Sequence, residues 1–330
     1  MKPFEFLEPT TVQEATTLLQ AGGARARLMA GGSDLLGELK EGIAHYPQLV
    51  SLARIDALRT LRQSGDGLML GSTVTLATLE HEPLLIGPWR ILAEAARGIA
   101  TPEIRNQGTL GGNLCQRPRC LHYRSAAIPC LKKNGTDCPA VHSPYQQNLA
   151  VFGSRVCHAV HASDLALPLL LLDAVLYING PTGERELPLW EFFPPSTQAS
   201  VQTRVMENTL AADEVVTHVF LPTQHPDWRG TTLKGRERTA GDFPLVSVAF
   251  GCRMENGRMH DVRLMLGAVA ATPWPCPDVE ELLEGQALSP ELAREAAELA
   301  FANATPLPHN GFKVPWGRSL VARAIEAVAQ

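Results

Sequence analysis

The sequence predicts a mixed α+β chain of two or three domains, and three features predict it. An N-terminal run alternates strand, glycine-rich turn, helix and strand. A middle portion carries helices and strands around one long irregular, cysteine-rich stretch. The C-terminal third holds three β-rich runs followed by helices. At 330 residues, 45% hydrophobic and 19% charged, the chain is long enough for a large core and for more than one domain of ~150 residues.

The elements follow in order. Thr11, with Glu14 three positions on, has the capping-box pattern, and Val12, Ala15, Leu18 and Leu19 recur at helical spacing. A strand over 27–30, the turn Gly31-Gly32-Ser33-Asp34, a helix over 35–43 and a strand over 49–52 form a βαβ pattern. Two strands, 58–63 and 68–74, flank the hairpin signal Gly65-Asp66-Gly67. Helices are expected over 76–85 and 89–99, then a polar loop over 101–113. From Leu114 to Cys157 there is no sustained period, with four prolines and five of the seven cysteines. A connection this long needs something besides regular structure to order it. Ser163-Asp164 reads as the N-cap of a helix over 165–172. A strand at 174–178, a turn at 179–183 and a strand at 215–221 follow, then a polar linker over 223–229. The C-terminal part reads as an α+β domain: three antiparallel strands (231–237, 244–253 and 262–269), a helix opened by Ser289-Pro290, and a last helix over 317–328.

Composition excludes some partners. The net charge is -5 and no basic stripe is present, so no nucleic-acid partner is expected. No apolar run nears the ~20 residues of a membrane helix, so no membrane insertion is expected. The N-terminus carries acid where a signal peptide carries base, which predicts a cytoplasmic protein.

Two glycine-rich loops are candidates for phosphate. Gly31-Gly32-Ser33-Asp34 sits between strand and helix, where glycine lets a ligand approach the backbone. It reads either as a diphosphate cradle or as a capped tight turn, and it is neither a G-x-G-x-x-G nor a P-loop motif. Gly108-Thr-Leu-Gly111-Gly112-Asn113 repeats the chemistry. Two such loops suggest one large dinucleotide held between two subdomains.

The cysteines are spaced Cys115-x4-Cys120-x9-Cys130-x7-Cys138-x18-Cys157. Zinc sites use paired short clips, and only Cys115/Cys120 comes near one. Irregular spacing in a loop suits an iron–sulfur cluster. Iron–sulfur, zinc and no metal all stay open on spacing alone. His122, His142, His158 and His161 nearby read as surface or hydrogen-bonding residues, and Cys252 and Cys276 as buried structural thiols. Lys234, Arg236 and Arg238 alternate along a strand and share a face, either a solvated edge or a cationic wall beside an anionic cofactor. Asp242 reads as a backbone cap. No Ser/His/Asp or H-E-x-x-H constellation appears, which weakens a hydrolase reading.

Taken together, the motifs resemble a known family. Met29-Ala30-Gly31-Gly32-Ser33-Asp34-Leu35 and Thr109-Leu-Gly111-Gly112-Asn113 resemble the two FAD-diphosphate loops of the flavin subunit of molybdenum hydroxylases. Ser163-Asp164-Leu-Ala resembles the motif whose Asp faces FAD, and Lys234-Gly-Arg-Glu-Arg, followed by Phe243-Pro-Leu-Val-Ser-Val-Ala249, the start of the family's C-terminal domain. The resemblance spans nearly the whole chain. It implies a two-subdomain FAD fold of the vanillyl-alcohol-oxidase type, with units at 1–54, 55–222 and 223–330. The cysteine-rich stretch, about 114–160, resembles the insertion of 4-hydroxybenzoyl-CoA reductase and of periplasmic aldehyde oxidoreductases. That likeness implies a [4Fe–4S] cluster on Cys120, Cys130, Cys138 and Cys157, with Cys115 spare. The implied role is an electron-transfer subunit with no catalytic residue of its own for substrate. Its partners would be a molybdopterin-binding large subunit, a [2Fe–2S] small subunit, and an acceptor or donor such as NAD or ferredoxin. A free-standing flavin oxidase and a zinc-stabilised scaffold are the alternatives, and co-export with a partner would place the chain in the periplasm.

Overall fold

The computed structural model describes residues 1–153, 156–194, 206–238 and 241–329. They build three sheets. The first is parallel, in order β1-β3-β2, from β1 (Glu5–Leu7), β2 (Ala26–Met29) and β3 (Gln48–Ser51). The second has order β4-β5-β8-β6-β7, from β4 (Leu61–Ser64), β5 (Gly67–Gly71), β6 (Val175–Gly180), β7 (Gly183–Pro188) and β8 (Val215–Pro222), all antiparallel. The third has order β12-β11-β10-β9, from β9 (Trp228–Gly235), β10 (Val246–Glu255), β11 (Arg258–Gly267) and β12 (Trp274–Pro275).

The first unit is the βαβ expected from its pattern. The helix Val12–Gly22 starts at a full capping box: Thr11 Oγ1 accepts from Glu14 N (3.1 Å), and the Glu14 carboxylate accepts from Thr11 N (3.2 Å). Its buried face, Ala15 and Leu19, packs on Ala26, Val50 and Leu52. β1 is an addition to the expected pattern, because three residues between prolines carry too little periodicity to read.

The second unit wraps helices Leu76–His81, Arg90–Arg97 and Ala166–Leu171 against its sheet, around Leu68, Leu70, Leu92, Leu169, Leu176 and Val219. Val215 belongs to the first core while the rest of β8 serves the second, so the two units share a strand. The expected loop over 101–113 contains two short helices, Pro102–Gln107 and Leu110–Leu114, each opened by a threonine.

The C-terminal sheet has four strands where three are expected. The fourth, β12, is two residues long and pairs Trp274 with Leu266. Pro273, Pro275 and Pro277 disguise it, since proline donates nothing to a ladder and survives only at an edge. Helices Pro277–Leu283, Pro290–Ala300 and Lys313–Ala329 cover one side. β9 begins inside the expected linker because Trp228, wholly buried, packs over Gly230 and Gly251; a Cβ on Gly251 would stand 2.1 Å from its ring.

Between these units the stretch after Leu114 is irregular, as its sequence reads. Among the described residues two 3-10 turns, Leu131–Lys133 and Pro139–His142, and an isolated bridge between Leu149 and Ala159 interrupt it. Its far end is tied to the C-terminal domain by Lys313. That side chain is fully buried, and its ammonium donates to Leu149 O and Ala268 O, both at 2.8 Å.

Candidate functional site

The two glycine loops meet in one cleft. It is lined by Met29, Ala30, Gly31, Gly32, Ser33, Asp34 and Leu35 from the first and by Thr109, Gly111 and Gly112 from the second. The contact is backbone on backbone: a Cβ on Gly31 would lie 1.7 Å from Gln107 O. Gly32 has φ +71°, a left-handed conformation that glycine adopts freely. The second loop is stitched to β5 and its exit. Gly111 N donates to Ser72 O (2.8 Å), Leu110 N to Val74 O (2.9 Å) and Leu76 N to Gly108 O (2.9 Å). Thr109 Oγ1 caps its helix by accepting from Gly112 N (3.2 Å).

Asn113 does not line the cleft. Its Oδ1 accepts from Ser163 Oγ (2.6 Å), and Ser163 Oγ in turn accepts from Ala166 N (3.1 Å). Ser163 alone is therefore the side-chain cap of the Ala166–Leu171 helix. This frees Asp164, whose Oδ2 takes Lys234 Nζ at 2.7 Å. Lys234 also donates to Gly98 O (3.2 Å), as does Arg236 (3.2 Å). So the structure joins Asp164 to Lys234, residues 70 apart in sequence, and links them through Ser163 to the second glycine loop. Lys234 and Arg236 share the Gly98 carbonyl, and neither lines the glycine-loop cleft. Arg238 pairs with Asp242, which also accepts from Arg238 N (3.0 Å).

None of the seven cysteines forms a disulfide. Cys120 lies within electrostatic reach of Cys130 and Cys138, and Cys157 within reach of Cys138 and Cys120. Burial holds Cys120 and Cys157 in the thiol form, pushing Cys157 up to about 11. Cys115 is apart: it lines the glycine-loop cleft, the charge that reaches it is Arg27, and burial pushes it to about 11. Among the described residues no three of His, Cys, Asp and Glu converge closely enough to hold a single metal ion. His122 Nδ1 stands 3.9 Å from Cys120 Sγ. His161 is buried against the Phe193 ring, centroids 4.7 Å apart, and burial pushes its pKa down to about 3. Cys252 and Cys276 are buried thiols raised by burial, Cys252 to about 12.

Charged side chains pack between the cleft and the cysteines. Asp34 pairs with Arg124 (2.6 Å) and Arg119 (3.0 Å), and Glu207 with Arg117 (2.6 Å) and Lys132. Glu38, 3% exposed, accepts from Tyr123 OH. Sequence reasoning missed the cleft's other wall, which includes Met206, Glu207, Asn208, Leu210 and Glu214 together with Ser72 and Arg27. No glycine motif or period marks 206–214. Only the polar character of the stretch before β8 sets it apart.

Comparisons with known proteins agree across the whole chain. A family described as the FAD binding domain in molybdopterin dehydrogenase matches residues 2–224, and the CO dehydrogenase flavoprotein C-terminal domain matches residues 231–328. The aldehyde oxidoreductase FAD-binding subunit PaoB of Escherichia coli (strain K12) is 30% identical over 336 aligned positions, covering 100% of both chains. The carbon monoxide dehydrogenase medium chain of Hydrogenophaga pseudoflava is 27% identical, covering 98% of this chain and 96% of its own. A solved structure of carbon monoxide dehydrogenase from that organism, lacking the Mo-pyranopterin moiety, superposes with TM-score 0.78 at 25% identity. It covers 99% of this chain and 97% of its own.

Proposed function

This chain belongs to the family of FAD-binding medium subunits of the molybdenum hydroxylases, and on that premise we propose how its own residues serve the role. The observation that carries the reading is the closure of the two glycine loops on one cleft. Met29 to Leu35 and Thr109 to Gly112 hold the FAD diphosphate, where glycine leaves the backbone open to an anion, and Asn113 braces the second loop through Ser163. The Asp164–Lys234 pair, tied to the second loop through Ser163, orients the flavin end of the cofactor. The fold is the two-subdomain vanillyl-alcohol-oxidase type, with units at 1–54 and 55–222 around the cofactor and a third at 223–330. Bound FAD supplies the redox chemistry; the protein's part is to bind, orient and shield it.

Cys120, Cys130, Cys138 and Cys157 hold a [4Fe–4S] cluster in this reading. One observation supports it: the four cysteines share one irregular loop region, with Cys120 near Cys130 and Cys138, and Cys157 near Cys120 and Cys138, while Cys115 faces the cleft instead. The surrounding charge also matches. Arg117, Arg119, Arg124, Lys132 and Lys133 flank Cys120 and Cys130, a basic setting that suits an anionic cluster on four thiolates.

The chain thus works beside a molybdopterin-binding large subunit, where substrate is oxidised, and a [2Fe–2S] small subunit. It exchanges electrons with an external acceptor or donor, NAD or ferredoxin among the classes that suit it. The test is a visible spectrum of anaerobically purified protein with flavin and iron counts. Flavin bands near ~450 nm over a broad iron–sulfur shoulder are expected. Cys130→Ser removes the shoulder and leaves the flavin bands in place. A colourless protein refutes the flavin, and a C130S protein that keeps all its iron refutes the ligand set.

A further inference from the structure

The side chains between the glycine-loop cleft and the cysteines form one connected network, and its wiring is specific. Asp34, the last residue of the Gly-Gly-Ser-Asp turn, makes no side-chain cap on the helix Leu35–Lys40 that it begins. Its carboxylate is instead committed to the cysteine-rich loop. Oδ1 takes Arg124 (2.6 Å) and Arg119 (3.0 Å), and Oδ2 accepts from Arg117 N (2.8 Å). All three partners bracket Cys120. One helical turn along, Glu38 accepts from Tyr123 OH and lies 3.7 Å from Arg124. Arg117 donates to Tyr123 OH (2.9 Å) and reaches Glu207 (2.6 Å), which also takes Lys132, two residues after Cys130. Arg124 closes the loop on itself through Pro118 O (2.8 Å) and Arg117 O (3.2 Å).

Resting on the flavin and cluster reading above, we propose that this network is a latch that couples the two sites. Asp34 acts as a positioning residue: the Cys120 loop holds Asp34, and Asp34 holds the Gly31–Gly32 turn. The physical basis is geometric: residues 117–124 hold the Asp34 carboxylate at three points, and Cys120 lies between them. Ligation of Cys120 fixes that loop, and loss of the iron frees it. The loop relaxes, Asp34 loses its partners, and the turn loses the shape the diphosphate needs. Coupling between two sites is reciprocal, so FAD must raise the affinity for the cluster by the same factor by which the cluster tightens FAD.

The experiment uses the full chain, with any partner subunits that co-purify. The first measurement needs no substitution. Iron release into a chelator is timed for the deflavinated protein and for the same protein saturated with FAD. The second measures the FAD dissociation constant by flavin fluorescence for wild type, Cys130→Ser and Asp34→Asn, with thermal melts to confirm folding. Slower iron release with FAD, and FAD binding about tenfold or more weaker in C130S, are expected, within the roughly 5- to 150-fold span of ordinary coupling. D34N, with every cysteine intact, weakens FAD and also speeds iron release. Equal iron release with and without FAD overturns the latch, as does an iron-free, folded C130S that binds FAD like wild type. A D34N protein that loses FAD affinity but keeps wild-type iron release also overturns it, since Asp34 would then serve the flavin directly. Wild-type protein that binds no FAD or no iron defeats the underlying reading instead, a result separate from all of these.

Discussion

Replacing Gly31 by alanine tests the meeting of the two glycine loops at its tightest point. The added Cβ would stand 1.7 Å from Gln107 O, 2.6 Å from Gln107 C and 3.3 Å from Gly108 N. All three are backbone atoms, so no rotamer change relieves the clash. Reaching ordinary contact near ~3.4 Å means parting the loops by close to ~1.7 Å, as for overpacked cores. Such insertions cost about 1–3 kcal/mol in stability. A site misplaced on that scale loses comparable binding energy, so FAD affinity falls by about 5- to 150-fold, at ~1.4 kcal/mol per tenfold. The assay is FAD titration by fluorescence quenching, with urea melts of the apoprotein. Gly37→Ala is the control: it lies in the next helix, nothing stands within 4 Å of its Cβ, and alanine there is expected to stabilise by about 0.5–1 kcal/mol. If G31A binds FAD as wild type does, the two loops do not grip one diphosphate and the site is wrongly placed.

Three further outcomes are expected. Lys234→Met breaks the Asp164 pair, whose side chains are 15% and 12% exposed, and costs about 1–3 kcal/mol. The double variant with Asp164→Asn recovers part of that, which a double-mutant cycle by urea unfolding reads directly. His161 has its pKa lowered from 6.5 to about 3 by burial. A lowered histidine binds fewer protons folded than unfolded, so its neutral burial loses stability as pH falls from about 6.5 toward 3, about 2 kcal/mol at pH ~5; His161→Phe should flatten urea stability over that range, and an unchanged acid limb would contradict it. Lys313 is pushed down to about 7 from 10.5, so the unfolded chain holds the extra proton between those values and stability rises with pH through that window. From pH ~7 to ~9 the gain is about 2 kcal/mol, and Lys313→Met should abolish it in melts at the two pH values.

Much of the scaffold was legible from local signals that tertiary contacts do not override. The Thr11–Glu14 capping box, the Gly65–Gly67 hairpin and the Ser289-Pro290 helix start all appear as read, because each is settled by neighbouring residues. Elements set by distant partners were not. β1 exists because β3 offers it an edge, and β12 because β11 does. The expected loop at 101–113 hides helices too short to show a period. At the site, both glycine loops were readable because close approach of backbone demands glycine. Asp164 read as a cap, but Ser163 does that alone, and only the fold reveals Lys234 as its partner. The 206–214 wall and the carboxylates facing the cysteine loop depend on contacts across more than eighty residues, for which no short-range pattern exists.

The hydrogen bond between Asn113 and Ser163 has a consequence for how such a chain is built. The two side chains touch at 2.6 Å although 50 positions separate them, so the cysteine-bearing excursion departs and returns beside the second glycine loop. On the way it lends Val151 and Phe152 to the C-terminal core and Leu149 O to Lys313. The excursion is therefore a strap between domains, and cutting it out is expected to destabilise the third sheet while leaving the first in place.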